Sequence, residues 1–594
     1  MSHCWRLDDG RQTLVLATKG DLLPQVVYWG KPLPTSDTSA VLAEAHQQDF
    51  TGGMLDGNPD LSLCPEASQS FPGQPGLRCR NTQGALLHPK FRFLSAEESA
   101  NNLVLTYQDT ALGITYEANF VLTPQTGLIT AWTRLTSTKP IWLQWLAAPV
   151  FPAPQNSSEM LDVSGRWIGE FQINTVPWSA GIHLRESRTG RSGHEHFPGL
   201  VIPESGTNNT TGQAYGFHYG WSGGHKMIAE ELPDGRRQVQ FGNATDSELT
   251  SGLQYETAKL YAVFSDQGLN GCAVAFQRHL RDHIVKFAKA AMPRPVHYNC
   301  WEAIYFDHNI SVLKQIATKA KSLGAERFVL DDGWFGHRDD DTTSLGDWQI
   351  DSRKYPDGLG PIVDHVSALD MQFGLWFEPE MVSPNSALYR AHPDWVLGPA
   401  DQLLGRKQMV LDMSLQEVSE YLFNSIAVLL RKYDITYIKW DHNRVLPISD
   451  ADQTRASYAL LARLQINFPH VEIETCASGG GRIDFGILNH TQRVWLSDSN
   501  DALERSRIQH AAALFLPSAV TGSHVGPRQC HTTGRVFNME YRAWVAAQRH
   551  MGFEMDPRQI SDLETQTLSD ITQWYKDNRK WMMQADILRL DSSD

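Results

Sequence analysis

No apolar run in this 594-residue chain approaches the roughly 18 residues that a bilayer crossing requires, so no membrane partner is expected. Cysteine is sparse. The seven present (Cys4, Cys64, Cys79, Cys272, Cys300, Cys476 and Cys530) are odd in number and lack CxxC spacing. That excludes a zinc ribbon and a disulfide framework, and it points to a reducing cytoplasm. Basic residues are short of acidic ones, 52 against 67, for a net charge of −15. A nucleic-acid-binding face needs the opposite balance, so a neutral ligand is expected instead. The first residues, MSHCWRLDDGRQ, have no basic segment followed by an apolar one, and so read as no secretory signal.

Aromatic residues are plentiful: 18 Trp, 17 Tyr and 24 Phe. Large β-rich cores use many aromatics, and sugar sites use them as platforms for flat C–H faces. Residues 1–285 carry short alternating or apolar runs (TLVLAT, NLVLTYQD, ITYEANFVLT, RQVQFGN, KLYAVFS) between Gly, Pro, Asn and Asp turns. An antiparallel β-sandwich is the simplest reading. The tract 51–80 reads as a long loop.

From residue 286 the pattern changes. The strand-like runs VHYNCW, RFVLDD, QFGLWFEPE, TYIKWD, VEIETC, RVWLSD, ALFLPSAVTGS and HMGFEMD alternate with stretches of helical spacing. Eight such units over 286–560 predict a (β/α)₈ barrel. An open doubly wound sheet is disfavoured, because no GxGxxG follows the first strand. Residues 561–594 read as a helical tail.

Polar residues cluster at the C-terminal ends of these strands: Trp301, Asp331, Asp332, Glu378, Glu380, Asp441, Cys476 and Asp498. Barrel enzymes place their chemistry on that rim. A lone Asp after a strand is as readily a helix cap, but so many carboxylates on one rim need compensating by a ligand or by catalysis. Glycoside cleavage uses two carboxylates, one ionised and one protonated. Asp441 in YIKWDHNR suits the nucleophile, since Lys439 and Asn443 fall on the same side of the strand and favour the ionised form. The alternative is a structural Lys–Asp pair. In WLSDSNDALER, Asp498 suits the acid. Asp501, with Glu504 three residues on, reads as a helix cap with Arg505 as its charge partner.

The strings NCWEAIYFD, RFVLDDGWFGHRDDDTTSLGDW, GLWFEPEMVSPNS, GRKQMVLDMS, YIKWDHNR, ETCASGGGRIDFGIL and WLSDSNDALER closely resemble glycoside hydrolase family 36, the bacterial α-galactosidases of the raffinose and melibiose type. The resemblance implies a retaining hydrolase with no metal, nucleotide or redox cofactor. It implies Asp441 as nucleophile and Asp498 as acid/base. It implies Asp331 and Asp332 on the sugar hydroxyls, Arg406, Lys439 and Asn443 as polar contacts, Trp376 and Trp301 as aromatic walls, and Cys476 near the 2-OH. The SGGG run behind Cys476 suggests backbone that approaches a ligand closely. Asp331 and Asp332 could instead join Asp339, Asp340 and Asp341 around calcium.

Family members also carry a C-terminal β-domain, expected to be short or missing here. They assemble as homotetramers in which a neighbour's loop reaches the site, and Asp56 is the nearest match to its acidic residue; a homodimer is the other assembly expected. Rival readings are an α-N-acetylgalactosaminidase, an α-galactosyl transferase, or a non-catalytic sugar-binding protein.

Overall fold

The computed structural model describes residues 3–45, 55–287 and 293–590. Its first half is antiparallel. A 12-stranded sheet, a four-stranded sheet and a three-stranded sheet converge on one core. Trp29, Tyr116, Phe120, Phe151, Phe217 and Phe241 fill it, so much of the aromatic surplus is structural. The runs LITAWTRLT and IWLQWL form one strand, Leu128–Leu146, which stays continuous through an exposed Lys139–Pro140 step. Alternation places its buried side chains on the core face.

The second half closes into a parallel eight-stranded barrel. Its strands are β1 (His297–Asn299), β2 (Arg327–Leu330), β3 (Gln372–Phe377), β4 (Tyr437–Trp440), β5 (Glu472–Thr475), β6 (Arg493–Trp495), β7 (Thr521–Val525) and β8 (His550–Phe553). Helices occupy the expected intervals, among them Ile310–Ser322, Gln416–Lys432 and Ala451–Asn467. The seventh strand lies later than the run ALFLPSAVTGS suggests. Residues 513–516 turn out of the helix Ala502–Ala512, and the strand begins beyond Pro517. β7 contributes His524 to a polar barrel interior, where it meets Arg493 and Glu554, so hydrophobicity is a poor guide to it. Buried Arg327 and Arg294 flank Glu472 there, and Arg493 pairs with Glu474. The helix Asp562–Met582, within the expected tail, is capped by Ser561 and Glu564 and packs against the helix Met539–Ala547.

The two halves share a core. Phe197 stacks obliquely on Phe515 at 4.9 Å, and His218 meets Phe485 at 4.4 Å. Backbone bonds also cross: Gly193 N–H donates to Gly481 O at 2.9 Å, and Leu446 N–H to Thr189 O at 2.8 Å. No helix among the described residues is long and apolar enough to cross a membrane.

Candidate active site

The strand ends surround a cavity of about 570 Å³. Of the residues singled out in the sequence, Trp301, Asp331, Asp332, Trp376, Arg406, Lys439, Asp441, Asn443 and Asp498 line it. Glu378, Glu380, Cys476 and Asp56 do not.

Asp441 follows β4, whose inward face carries Tyr437 and Lys439 four and two residues earlier. Four N–H groups aim at its carboxylate. Asn443 Nδ2 and Trp376 Nε1 donate to Oδ2 at 2.8 and 3.2 Å. The His442 and Ser478 backbone N–H groups donate to Oδ1 at 2.8 and 3.3 Å. Burial works against the charge, but Lys439, Arg406 and these donors outweigh it and hold the carboxyl below its ordinary value. Lys439 is not paired with Asp441. Its ammonium sits 2.9 Å from Asp331 Oδ2, where Asn299 Nδ2 also donates at 2.6 Å. The structural Lys–Asp pair therefore exists with the carboxylate that follows β2, two strands away, and leaves Asp441 free to react.

Asp498 follows β6, and its situation is the reverse. Burial first, then the charge of Asp441, raise its carboxyl to about 6. Trp495 Nε1 donates to Oδ1 at 3.1 Å and Trp167 Nε1 to Oδ2 at 2.9 Å. Two carboxyls whose surroundings push their protonation apart are what acid and nucleophile roles require.

Asp332 is clamped by Arg338, which donates from Nε and Nη2 at 3.0 Å each. Arg406 lies 3.8 Å from the same carboxylate and donates to Asp341 at 3.1 Å. Arg406 and Lys407 both have positive φ, 48° and 61°, in a tight turn closed by Gly405 and Gln408. Holding two non-glycine residues there costs energy, and it aims the guanidinium into the cavity. The acidic loop is not gathered around a cation. Asp339 pairs with Arg353 and Lys354, Asp341 with Arg406, and Asp340 with Thr342. Among the described residues no cluster of His, Cys, Asp and Glu is arranged to hold a metal.

Cys476 is 1% exposed, behind Asp441. Burial, then the Asp441 charge, push its thiol far above its usual range. It supports the site from behind, and Ser478 lines the cavity. The glycines after it serve packing. A Cβ at Gly479 would lie 2.5 Å from Asp498 N, one at Gly480 2.2 Å from Leu496 O, and one at Gly481 2.3 Å from Ala477 O. The run lets the β5 loop close on the β6 loop and on the sandwich. Asp56 is exposed, away from the cavity of its own chain.

Asp501 is the helix cap, accepting from Leu503 N and Glu504 N at 3.0 and 3.1 Å. Its charge partner is Arg535, at 2.6 Å, and not Arg505. Arg505 turns inward to Ser497 O at 2.8 Å. Asp501→Ala is expected to lower unfolding stability in a denaturant titration by about 1–2 kcal/mol while sparing turnover per folded molecule.

Several lining residues carry weaker sequence signals. Glu302 adjoins Trp301 and accepts from Asn500 Nδ2 at 3.0 Å. Glu554 follows β8 and is held by His524 at 2.8 Å. Glu378 lies behind the lining, where it accepts from Asn443 N, and is raised to about 7 by burial and by Asp441. Trp167 arrives from the sandwich, and no local pattern in GRWIGEF marks it.

Comparison with known proteins agrees with this geometry. The Melibiase family profile matches residues 254–585, and the glycosyl hydrolase family 36 N-terminal domain matches residues 22–250. An α-galactosidase of Escherichia coli is 38% identical over 100% of this chain and 85% of its own length. The α-galactosidase AgaA of Geobacillus stearothermophilus is 35% identical over 84% of this chain and 71% of its own. A crystal structure of AgaA superposes with a TM-score of 0.92, at 30% identity, covering 100% of this chain and 88% of that one. A variant of AgaA solved in complex with raffinose superposes at 0.93.

Proposed function

The chain belongs to glycoside hydrolase family 36, and from that premise we propose how its residues divide the work. It is a retaining α-galactosidase acting on terminal α-galactosyl groups of melibiose and raffinose-type oligosaccharides. Asp441 attacks the anomeric carbon, while Asp498 gives its proton to the departing glycosidic oxygen. Asp498, now ionised, then takes a proton from water, which hydrolyses the galactosyl ester on Asp441 and returns the starting anomeric configuration. The observation that carries this is the contrast within one cavity. Asp441 is held ionised by the charges of Lys439 and Arg406 and by four N–H donors, and Asp498 is held protonated to about 6.

Asp331 and Asp332 grip the hydroxyls at the far end of the sugar, with Arg406, Lys439 and Asn443 completing the polar shell and Trp301 and Trp376 the apolar wall. Arg338 and Lys439 fix the two carboxylates, so the site is built to pair particular hydroxyls, including an axial 4-OH. A site of that kind rejects the wrong arrangement by roughly 10⁴-fold. Nitrophenyl α-galactoside should therefore exceed nitrophenyl α-glucoside in kcat/KM by about that factor. Comparable values would contradict the assignment of Asp331 and Asp332. The same assay with the α-N-acetylgalactosaminide separates the first rival reading. A cytoplasmic setting is supported by the seven cysteines, all free in this structure. A homotetramer or homodimer is the assembly that goes with this reading, and Asp56, exposed and outside its own chain's cavity, is free to meet a neighbour.

A further inference from the structure

Both oxygens of Asp498 already accept an N–H, and the two donors differ in origin. Trp495, 2% exposed, belongs to the barrel. Trp167, 51% exposed, belongs to the sandwich, 331 residues away in the chain. It stands at the tip of a hairpin between the strands Glu159–Gly165 and Gln172–Pro177. Arg166 and Gly169 close the tip by mutual backbone bonds of 3.2 and 3.0 Å, and Ile168 takes a positive φ of 57°.

The hairpin is anchored in the catalytic loops. Glu170, wholly buried, accepts from Gly480 N at 3.3 Å and from His194 at 3.3 Å. Gly479 passes so close that a Cβ would lie 2.8 Å from Glu170 Oε1. Arg191 reaches from the same domain to His442 O at 3.0 Å, next to Asp441. The indole of Trp167 is therefore held at Asp498 by a buried scaffold, although its ring faces solvent.

Each donor occupies a lone pair, so the acid proton must take a remaining one. When that proton passes to the leaving oxygen, negative charge grows on Asp498 while the Trp167 N–H already points at it. A donor placed where charge develops stabilises the transition state. We propose that Trp167 is a positioning residue for Asp498, through which the sandwich domain orients the acid/base and stabilises its ionised form. This rests on Asp498 being the acid/base of the reaction above.

The test is Trp167→Phe, which keeps the ring and removes the N–H. Losing a donor to the charged form makes Asp498 a weaker acid. The groups facing Asp498 from other elements, the carboxyls of Asp441, Glu170 and Glu302 and the cations Lys439, Arg191 and Arg505, stay in place. The alkaline limb of kcat/KM should then move up by about 0.5–1 pH unit. Melibiose hydrolysis should fall about 10- to 50-fold near neutrality, and hydrolysis of dinitrophenyl α-galactoside, whose leaving group needs no proton, less than threefold. The thermal midpoint should not change, since the ring is half exposed. An unshifted alkaline limb with equal losses on both substrates overturns the proposal. A parent enzyme that shows no alkaline limb, or no α-galactoside hydrolysis, would instead overturn the acid/base reading beneath it.

Discussion

Replacing Asp441 with Asn is expected to lower kcat on every α-galactoside by at least about 10⁴-fold, with galactose still binding. The substitution preserves shape and removes the nucleophile. Its cost in stability is modest, since the amide oxygen can still accept from two of the four N–H groups and the amide nitrogen must displace the others. A second consequence follows. The Asp441 charge is one of the two main causes that raise Asp498, so in the variant Asp498 should titrate below the parent's value of about 6. Turnover within tenfold of the parent would remove Asp441 from the nucleophile role. Unaltered titration of Asp498, followed by pH-dependent carboxyl NMR, would contradict the coupling.

Replacing Asp498 with Ala is expected to divide substrates by their leaving groups. Melbiose-type substrates with alcohol leaving groups need the proton, and should lose about 10³-fold or more. Dinitrophenyl α-galactoside needs no proton to depart, so its galactosyl–enzyme should still form. That intermediate should then accumulate, because no base remains to activate water. Added azide requires no base, and should restore turnover and give α-galactosyl azide, the product of two inversions. The position of Asp501 makes the control clear. It is tied down by Leu503 N, Glu504 N, Thr533 and Arg535, and has no free oxygen to offer a substrate. Azide rescue of Asp501→Ala in place of Asp498→Ala would reverse the two roles.

Most of the barrel is legible in the sequence because period-2 alternation and strand-end carboxylates are local signals. The inward placement of Lys439 with Asp441 follows from spacing alone, and so does the capping role of Asp501. What spacing does not give is the partner across the barrel. Lys439 bonds Asp331 on another strand, and Asp501 bonds Arg535 in a later loop. The seventh strand was displaced in the pattern for a related reason. Its inward residues face a polar interior, so the apolar run before Pro517 gave the stronger signal. SGGG correctly marks close approach, but the approaching surfaces are Asp498 N and the sandwich, which no local window contains. Trp167 is the extreme case, since its one informative contact spans 331 residues. Glu554 is different. It follows β8 as Asp498 follows β6, and the strand-end rule applied to GFEMD would have found it.

The most direct measurement of the double-displacement reading is covalent trapping. A fluorinated α-galactoside with an activated leaving group should form a galactosyl–enzyme that turns over slowly. Proteolysis and mass spectrometry should then place one galactosyl adduct, as an ester, on Asp441 in the segment Tyr437–Arg444. An adduct on any other carboxylate, or full hydrolysis of α-galactosides with no adduct and an inverted first-formed product, would contradict Asp441 as the nucleophile of a retaining enzyme.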